Sequence, residues 1–189
     1  LLPDFIEYFQ LVQLKALTEK QVQTILSNFS DHAKERLKVQ IDTNALTQSY
    51  RLLLRHYPYE AFPGKGIKFL GRCVNYAQLH QLTTLSQADI VDSFIKQSGL
   101  PEIFLRDEIK LPVQKIRQHF EQRIIGQDAV IEQFCNIIKI YKAGLNDPNK
   151  PISTMLFAGP TGVGKTASAK ALSQYFFGEG KKEPPLIRI

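Results

Sequence analysis

Gly159-Pro160-Thr161-Gly162-Val163-Gly164-Lys165-Thr166 is the stretch whose reading decides the fold. It matches G-x-x-x-x-G-K-[ST], the pattern of a phosphate-binding loop. Glycines let the backbone turn tightly and approach a phosphate with no side chain in the way. Successive N–H groups then face inward and form an anion nest. A helix beginning at about Lys165 adds the positive end of its dipole. Lys165 is the expected partner of the β- and γ-phosphates, and Thr166 is the expected Mg²⁺ ligand. With Ala167 these eight residues make up the expected loop site, and ATP or ADP with Mg²⁺ is the expected ligand.

The neighbouring sequence gives the loop its setting. Residues 153–158 are a short apolar run, as in a buried parallel strand. Residues 165–177, with Ala169, Ala171 and Leu172, read as a helix. A polar loop follows over 178–185, and residues 186–189 begin another strand. Upstream, a helix is expected over about 128–143, closed by Gly144, and another over about 113–122, with Gly126 as the break between them. Hydrolysis also needs a carboxylate at the end of a later strand. Glu179 and Glu183 lie in a glycine- and lysine-rich loop and read as solvated, so no catalytic residue is assigned.

Residues 101–112 change character: Pro101, mixed charges and Leu111-Pro112 mark a linker. Before it lies a helical block of about 100 residues. Leu11-Val12-Gln13-Leu14 reads as the end of a strand. Thr18 with Gln21 is a capping-box pattern. Val22, Ile25, Leu26, Phe29, Ala33 and Leu37 follow at helical spacing. A second helix starts near Thr43 and carries Leu46, Tyr50, Leu53 and Leu54. Pro63 opens a third, with Ile67, Leu70, Val74 and Ala77. Ser86 caps a fourth, with Ile90, Val91, Phe94 and Ile95 on one face and Gly99 as its stop.

The chain has 189 residues, 43% of them hydrophobic and 22% charged, as in a soluble globular protein. No apolar run nears the roughly 18 residues of a membrane helix. The first residues do not form a signal peptide, and the absence of a starting Met suggests an excised segment. Cys73 and Cys135 fit no metal spacing and read as buried thiols in a reducing cytosol, so the expected location is cytoplasmic. His32, His56, His80 and His119 are scattered and read as structural. The net charge of +6 is uneven: residues 1–111 hold 13 basic and 12 acidic side chains, and residues 112–189 hold 11 and 6. A phosphate site needs positive charge, and no Lys/Arg stripe marks a nucleic-acid surface. Nucleic acid and membrane are not the expected partners.

Arg123-Ile124-Ile125-Gly126-Gln127-Asp128, Ala143-Gly144-Leu145 and Asn146-Asp147-Pro148-Asn149-Lys150-Pro151, followed by the loop, resemble the second ATPase module of Clp unfoldases. These are double-ring AAA+ proteins of the ClpA and ClpB type. The resemblance makes Ile124 and Ile125 adenine-pocket residues. The helical block is similar to the small lid subdomain of the first module, with Phe62-Pro63-Gly64-Lys65-Gly66 where the family has Leu-Pro-Asp-Lys-Ala. Gly64 and Gly66 should weaken that helix start. Residues 5–10 resemble the end of the first large subdomain, where Glu7 and Tyr8 stand at the places of paired trans-acting arginines. That implies a weak or inactive first ring.

The expected fold is therefore α/β with a large all-α part: a helical AAA+ lid, then the start of a P-loop domain. The expected divisions are 1–14, the end of the first large subdomain; 15–111, the lid; and 112–189, the start of the second module. No long coiled-coil heptad insertion separates the last two, which places the sequence nearer the protease-partner type, ClpA. The resemblance implies an ATP-dependent unfoldase or chaperone forming a hexameric ring on polypeptide substrates, with a ClpP-like protease as a further candidate partner. The segment alone would lack the hydrolytic residues. Two other readings stand beside it: a degenerate AAA+ nucleotide-gated scaffold, and a DNA-acting AAA+ motor.

Overall fold

Thr18 sits in extended backbone and its hydroxyl accepts from the Gln21 N–H, while the Gln21 side chain accepts from the Thr18 N–H at 2.9 Å. This reciprocal cap starts α1, Glu19–Leu37, in the computed structural model. The structure describes residues 9–10, 12–147, 150–178 and 186–187. The chain then runs through β1 (Gln40–Ile41), α2 (Thr43–His56), α3 (Gly64–Leu79), β2 (Thr84–Leu85) and α4 (Gln87–Ser98). Ser86 and Asp89 form a second capping box, and Gly99, at φ 67°, ends α4 in the left-handed region that glycine tolerates.

The block is not all-helical as the sequence suggested. β1 and β2 pair in parallel, with Gln40 opposite Thr84 and Ile41 opposite Leu85. α2 and α3 form the crossover that parallel strands require. Each strand is two residues long, too short for a period-2 pattern to register. Ile41 and Leu85 point into a core built from Val22 and Leu26 of α1, Leu52 and Leu53 of α2, Leu70 and Val74 of α3 and Phe94 of α4.

Gly66 has a packing reason rather than being a simple weakness. A Cβ there would lie 2.8 Å from Leu26 Cδ2 and 3.3 Å from Phe62 Cε1, so its absence lets α3 press against α1. The helix forms from Gly64 onward despite the low propensity of both glycines.

The stretch expected to be a linker contains a short 3₁₀ turn, Glu102–Phe104. There the chain changes cores. Leu105 belongs to the first, and Phe104 to a second, with Ile116 and Phe120 from α5 (Val113–Glu121), Phe134 and Ile138 from α6 (Asp128–Lys142) and Phe176 from α7 (Lys165–Phe177). Phe104 stacks on Phe176 at 5.1 Å and meets Tyr141 edge-on at the same distance.

Residues 153–158 do not form the expected strand. They run with alternating burial: Met155 and Phe157 pack against the second core, and Leu156 is 93% exposed. A strand is defined by a hydrogen-bonded neighbour, and the β1–β2 pair is the only sheet among the described residues. Val12 and Leu14 likewise lie exposed without regular structure, as does the pair 186–187. Leu11, Glu7 and Tyr8, Pro148 and Asn149, Glu179 and Glu183, and Arg188 and Ile189 lie outside the described residues. Cys73 and Cys135 are buried and free. No helix among the described residues is long and apolar enough to cross a membrane.

Candidate nucleotide-binding site

The loop from Gly159 to Gly164 joins the extended run 153–158 to α7. Gly159, Gly162 and Gly164 hold φ of 150°, 90° and 96°, values that a side chain makes costly. At Gly159 a Cβ would also lie 3.2 Å from Val163 Cγ2. The motif's glycines are thus required by backbone shape. Gly164 is the N-cap of α7 and no side chain caps that helix start. The N–H groups of its first turn, which lack intrahelical acceptors, are left for a ligand. Lys165 Nζ crosses the loop and donates to the carbonyls of Gly159 and Pro160, each at 2.7 Å. Thr166 and Ala167 are exposed beside it. A glycine loop leading into an uncapped helix start, with an ammonium held across it, suits the charge of a polyphosphate.

The two isoleucines separate. Ile124 is only 4% exposed and belongs to the second core, whereas Ile125 is 91% exposed. Of the pair, Ile125 alone offers its surface to a ligand. Gln127 was not singled out by the sequence reading. It is the N-cap of α6, and its side-chain amide donates to the Val163 carbonyl at 3.3 Å, tying α6 to the loop. An apolar groove of about 250 Å³ lies elsewhere, between α6, α7 and the extended run, lined by Ile137, Met155, Phe157, Leu172 and Phe176. No group of three or more His, Cys, Asp or Glu able to hold a metal occurs among the described residues.

At the other end of α6 the chain meets the helical block. Tyr141 Oη lies 2.7 Å from His56 Nδ1. The Arg55 guanidinium donates to the Tyr141 carbonyl and sits 5.2 Å from the centre of its ring. Lys142 Nζ donates to the Arg106 carbonyl at 2.5 Å. Burial and the neighbouring Arg55 charge push His56 down to about 4, and burial pushes Tyr141 up to about 12. Tyr141 is therefore the donor and neutral His56 the acceptor.

No family model matches the chain. Among curated relatives, the chaperone protein ClpB 1 of Nostoc is 40% identical over 93 residues, 49% of this chain and 11% of that protein. ClpB of Vibrio vulnificus is 35% identical over 117 residues, 60% of this chain and 13% of its own length. ClpC2, chloroplastic, of Oryza sativa is 36% identical over 105 residues, 56% of this chain and 11% of its length. Over these stretches the chain is similar to Clp-family chaperones. The stretch shared with these Clp relatives is about a tenth of their length. In fold, the chain follows Hsp104. It matches the closed-state reconstruction of Hsp104 with ATPγS and FITC casein at a TM-score of 0.71, with 20% identity, over 92% of this chain and 30% of that one. The Hsp104–ADP complex of S. cerevisiae matches at 0.68, with 21% identity, over the same shares. The fold class is thus the largely helical one of the matching Hsp104 region, with one small parallel sheet among the described residues. ClpB and ClpC names both occur among the relatives.

Proposed function

We propose that this Clp segment carries the nucleotide-binding half of the second ATP site of a double-ring, ATP-dependent protein unfoldase or chaperone. The observation behind this reading is the loop itself: three glycines at positive φ, a bare helix start, and Lys165 held over both. Gly159, Pro160, Thr161, Gly162, Val163 and Gly164 present the backbone to the phosphates, with Thr166 and Ala167 on the first turn of α7. Lys165 bears the compensating charge. Bound Mg²⁺ would be held at Thr166 and would neutralise charge on the phosphates. Ile125 covers the base.

The change of core at Phe104 and Leu105 supports dividing the chain into a lid, 15–111, and the start of a second module, 112–189, with 1–14 closing the first large subdomain. The whole protein then works as a cytoplasmic hexamer that pulls polypeptides by lid-against-core motion, and a ClpP-like protease is a candidate partner. Glu7 and Tyr8 in place of arginines would leave the first ring a weak ATPase. The test is Lys165→Ala in the full-length protein, read by titration with a fluorescent ADP analogue and by turnover. Loss of binding and hydrolysis at the second site is expected, and wild-type affinity in the variant refutes the assignment.

A further inference from the structure

We propose that Arg55, His56 and Tyr141 are positioning residues for the phosphate loop, acting through α6 as a rigid rod. The proposal rests on the site reading above and adds a regulation of that site by the helical block.

α6 has 15 residues and so measures about 22 Å. Its head holds the loop through Gln127 and the Val163 carbonyl. Its tail is gripped by the C-terminal turn of α2, where Arg55 and His56 take the carbonyl and the hydroxyl of the same residue, Tyr141. Arg55 also lies against Gly144, whose φ of 68° turns the chain out of the helix, with Cζ 3.7 Å from where a Cβ would stand. The guanidinium therefore sits at the negative end of α6, where a cation is favoured. One helix thus touches the phosphate loop at one end and the first core at the other. A shift of α2 must move the rod or break the grip.

The grip is not built for greatest stability. Arg55 Nε and His56 Nε2 are buried and have no hydrogen-bond partner. Once Nδ1 accepts from Tyr141, the proton of neutral His56 rests on Nε2, a donor facing no acceptor. Buried donors left unpaired carry a desolvation cost, and opening the junction would hydrate both. The two orphaned donors offset part of what the Tyr141 hydrogen bonds contribute, which lowers the cost of releasing the grip. While the grip holds, Gln127 keeps its hydrogen bond to the Val163 carbonyl of the loop.

The test uses the full-length protein and a fluorescent ADP analogue. Tyr141→Phe keeps the ring and removes only the hydroxyl, yet it should raise the second-site dissociation constant about 5-fold, the lower end of ordinary coupling. His56→Ala should do the same. His56→Gln, whose amide oxygen still accepts the tyrosyl proton, should recover most of the affinity. By reciprocity, ADP should slow amide exchange at Leu52 to His56 in the wild type and lose that effect in Tyr141→Phe, while protection of the loop remains. Unchanged affinity in both Tyr141→Phe and His56→Ala, or α2 protection that persists without the hydroxyl, overturns the proposal. Lys165→Ala separates the two claims: binding that survives in that variant defeats the site assignment itself.

Discussion

The two cores of the chain use the same materials differently. In the first, α1 and α4 start on closed caps, Thr18 and Ser86 each completing a reciprocal box, while α2 and α3 start without a side-chain cap, and even the short β1–β2 pair buries Ile41 and Leu85. In the second, the start of α7 has no side-chain cap, the run before it leaves Leu156 exposed, and three glycines hold conformations costly to other residues. Two helix starts of the first half are closed by their own side chains, whereas the glycine loop and the start of α7 in the second are left open. This is the contrast expected between a part that must hold its shape and a part that must receive a charged ligand.

The change that breaks this contrast most completely is Lys165→Ala, which removes the one cation held across the loop. Nucleotide binding at this site should fall below detection while the melting of the helical block stays as it was. Calorimetry with ADP and thermal unfolding of the same preparation check both halves of that statement.

A core truncation tests the opposite side. Phe94 is 1% exposed and meets the rings of His56, Tyr57 and Phe69 at 5.5–5.7 Å. Phe94→Ala should cost about 3–5 kcal/mol, as buried aromatic truncations do. Phe120, fully buried in the second core, should cost a similar amount when truncated. If each variant destabilises only its own half, two unfolding steps appear by denaturant titration. A single shared step for both would make the junction at Tyr141 strong enough to fuse the halves.

Acid sharpens the comparison at that junction. His56, held at about 4, titrates below the ordinary value of 6.5 for an unfolded histidine. Above 6.5 neither state binds the proton and His56 contributes nothing to pH dependence. As pH falls from 6.5 toward 4 the unfolded chain takes the proton and the folded chain does not, so stability declines. The full loss, reached below about 4, is about 3 kcal/mol at 1.36 kcal/mol per unit. Denaturant midpoints between pH 7 and pH 4.5, compared with His56→Gln, should show a shallower slope in the variant.

Much of this was legible in the sequence, for identifiable reasons. Long helices announced themselves by spacing and by caps: α1, α2, α4 and α7 start where Thr18, Thr43, Ser86 and Lys165 placed them. Glycine spacing gave the loop its shape, because few other sequences permit φ near 90° twice in three residues. The strand pair was hidden because two residues carry no period. The run 153–158 has the composition of a strand, but hydrogen-bonded pairing depends on neighbours that composition does not encode. Ile124 and Ile125 looked equivalent; burial of one and exposure of the other depends on how the chain leaves α5. His56 was read as structural, and nothing in the sequence drew attention to Tyr141. Their meeting, 85 residues apart, is a tertiary fact.

The smallest expected effect concerns the caps that set the two halves apart. Asp89 Oδ2 accepts from the Ser86 N–H at 2.8 Å and from its hydroxyl at 2.6 Å, and Ser86 Oγ in turn accepts from the Asp89 N–H. Ser86→Ala deletes one arm of this box and should cost about 1 kcal/mol. The same residue follows Leu85 of β2, so the loss should also loosen the Asp42 N–H bond to the Leu85 carbonyl, now 3.1 Å. A fall in the urea midpoint with an unchanged slope would show a local cap loss in an otherwise intact block. ADP affinity at the loop should not change, because α4 touches neither Tyr141 nor α6 through any hydrogen bond of the cap. A weakened affinity in Ser86→Ala would mean that the block controls the loop as a whole, and not through the α2 grip alone.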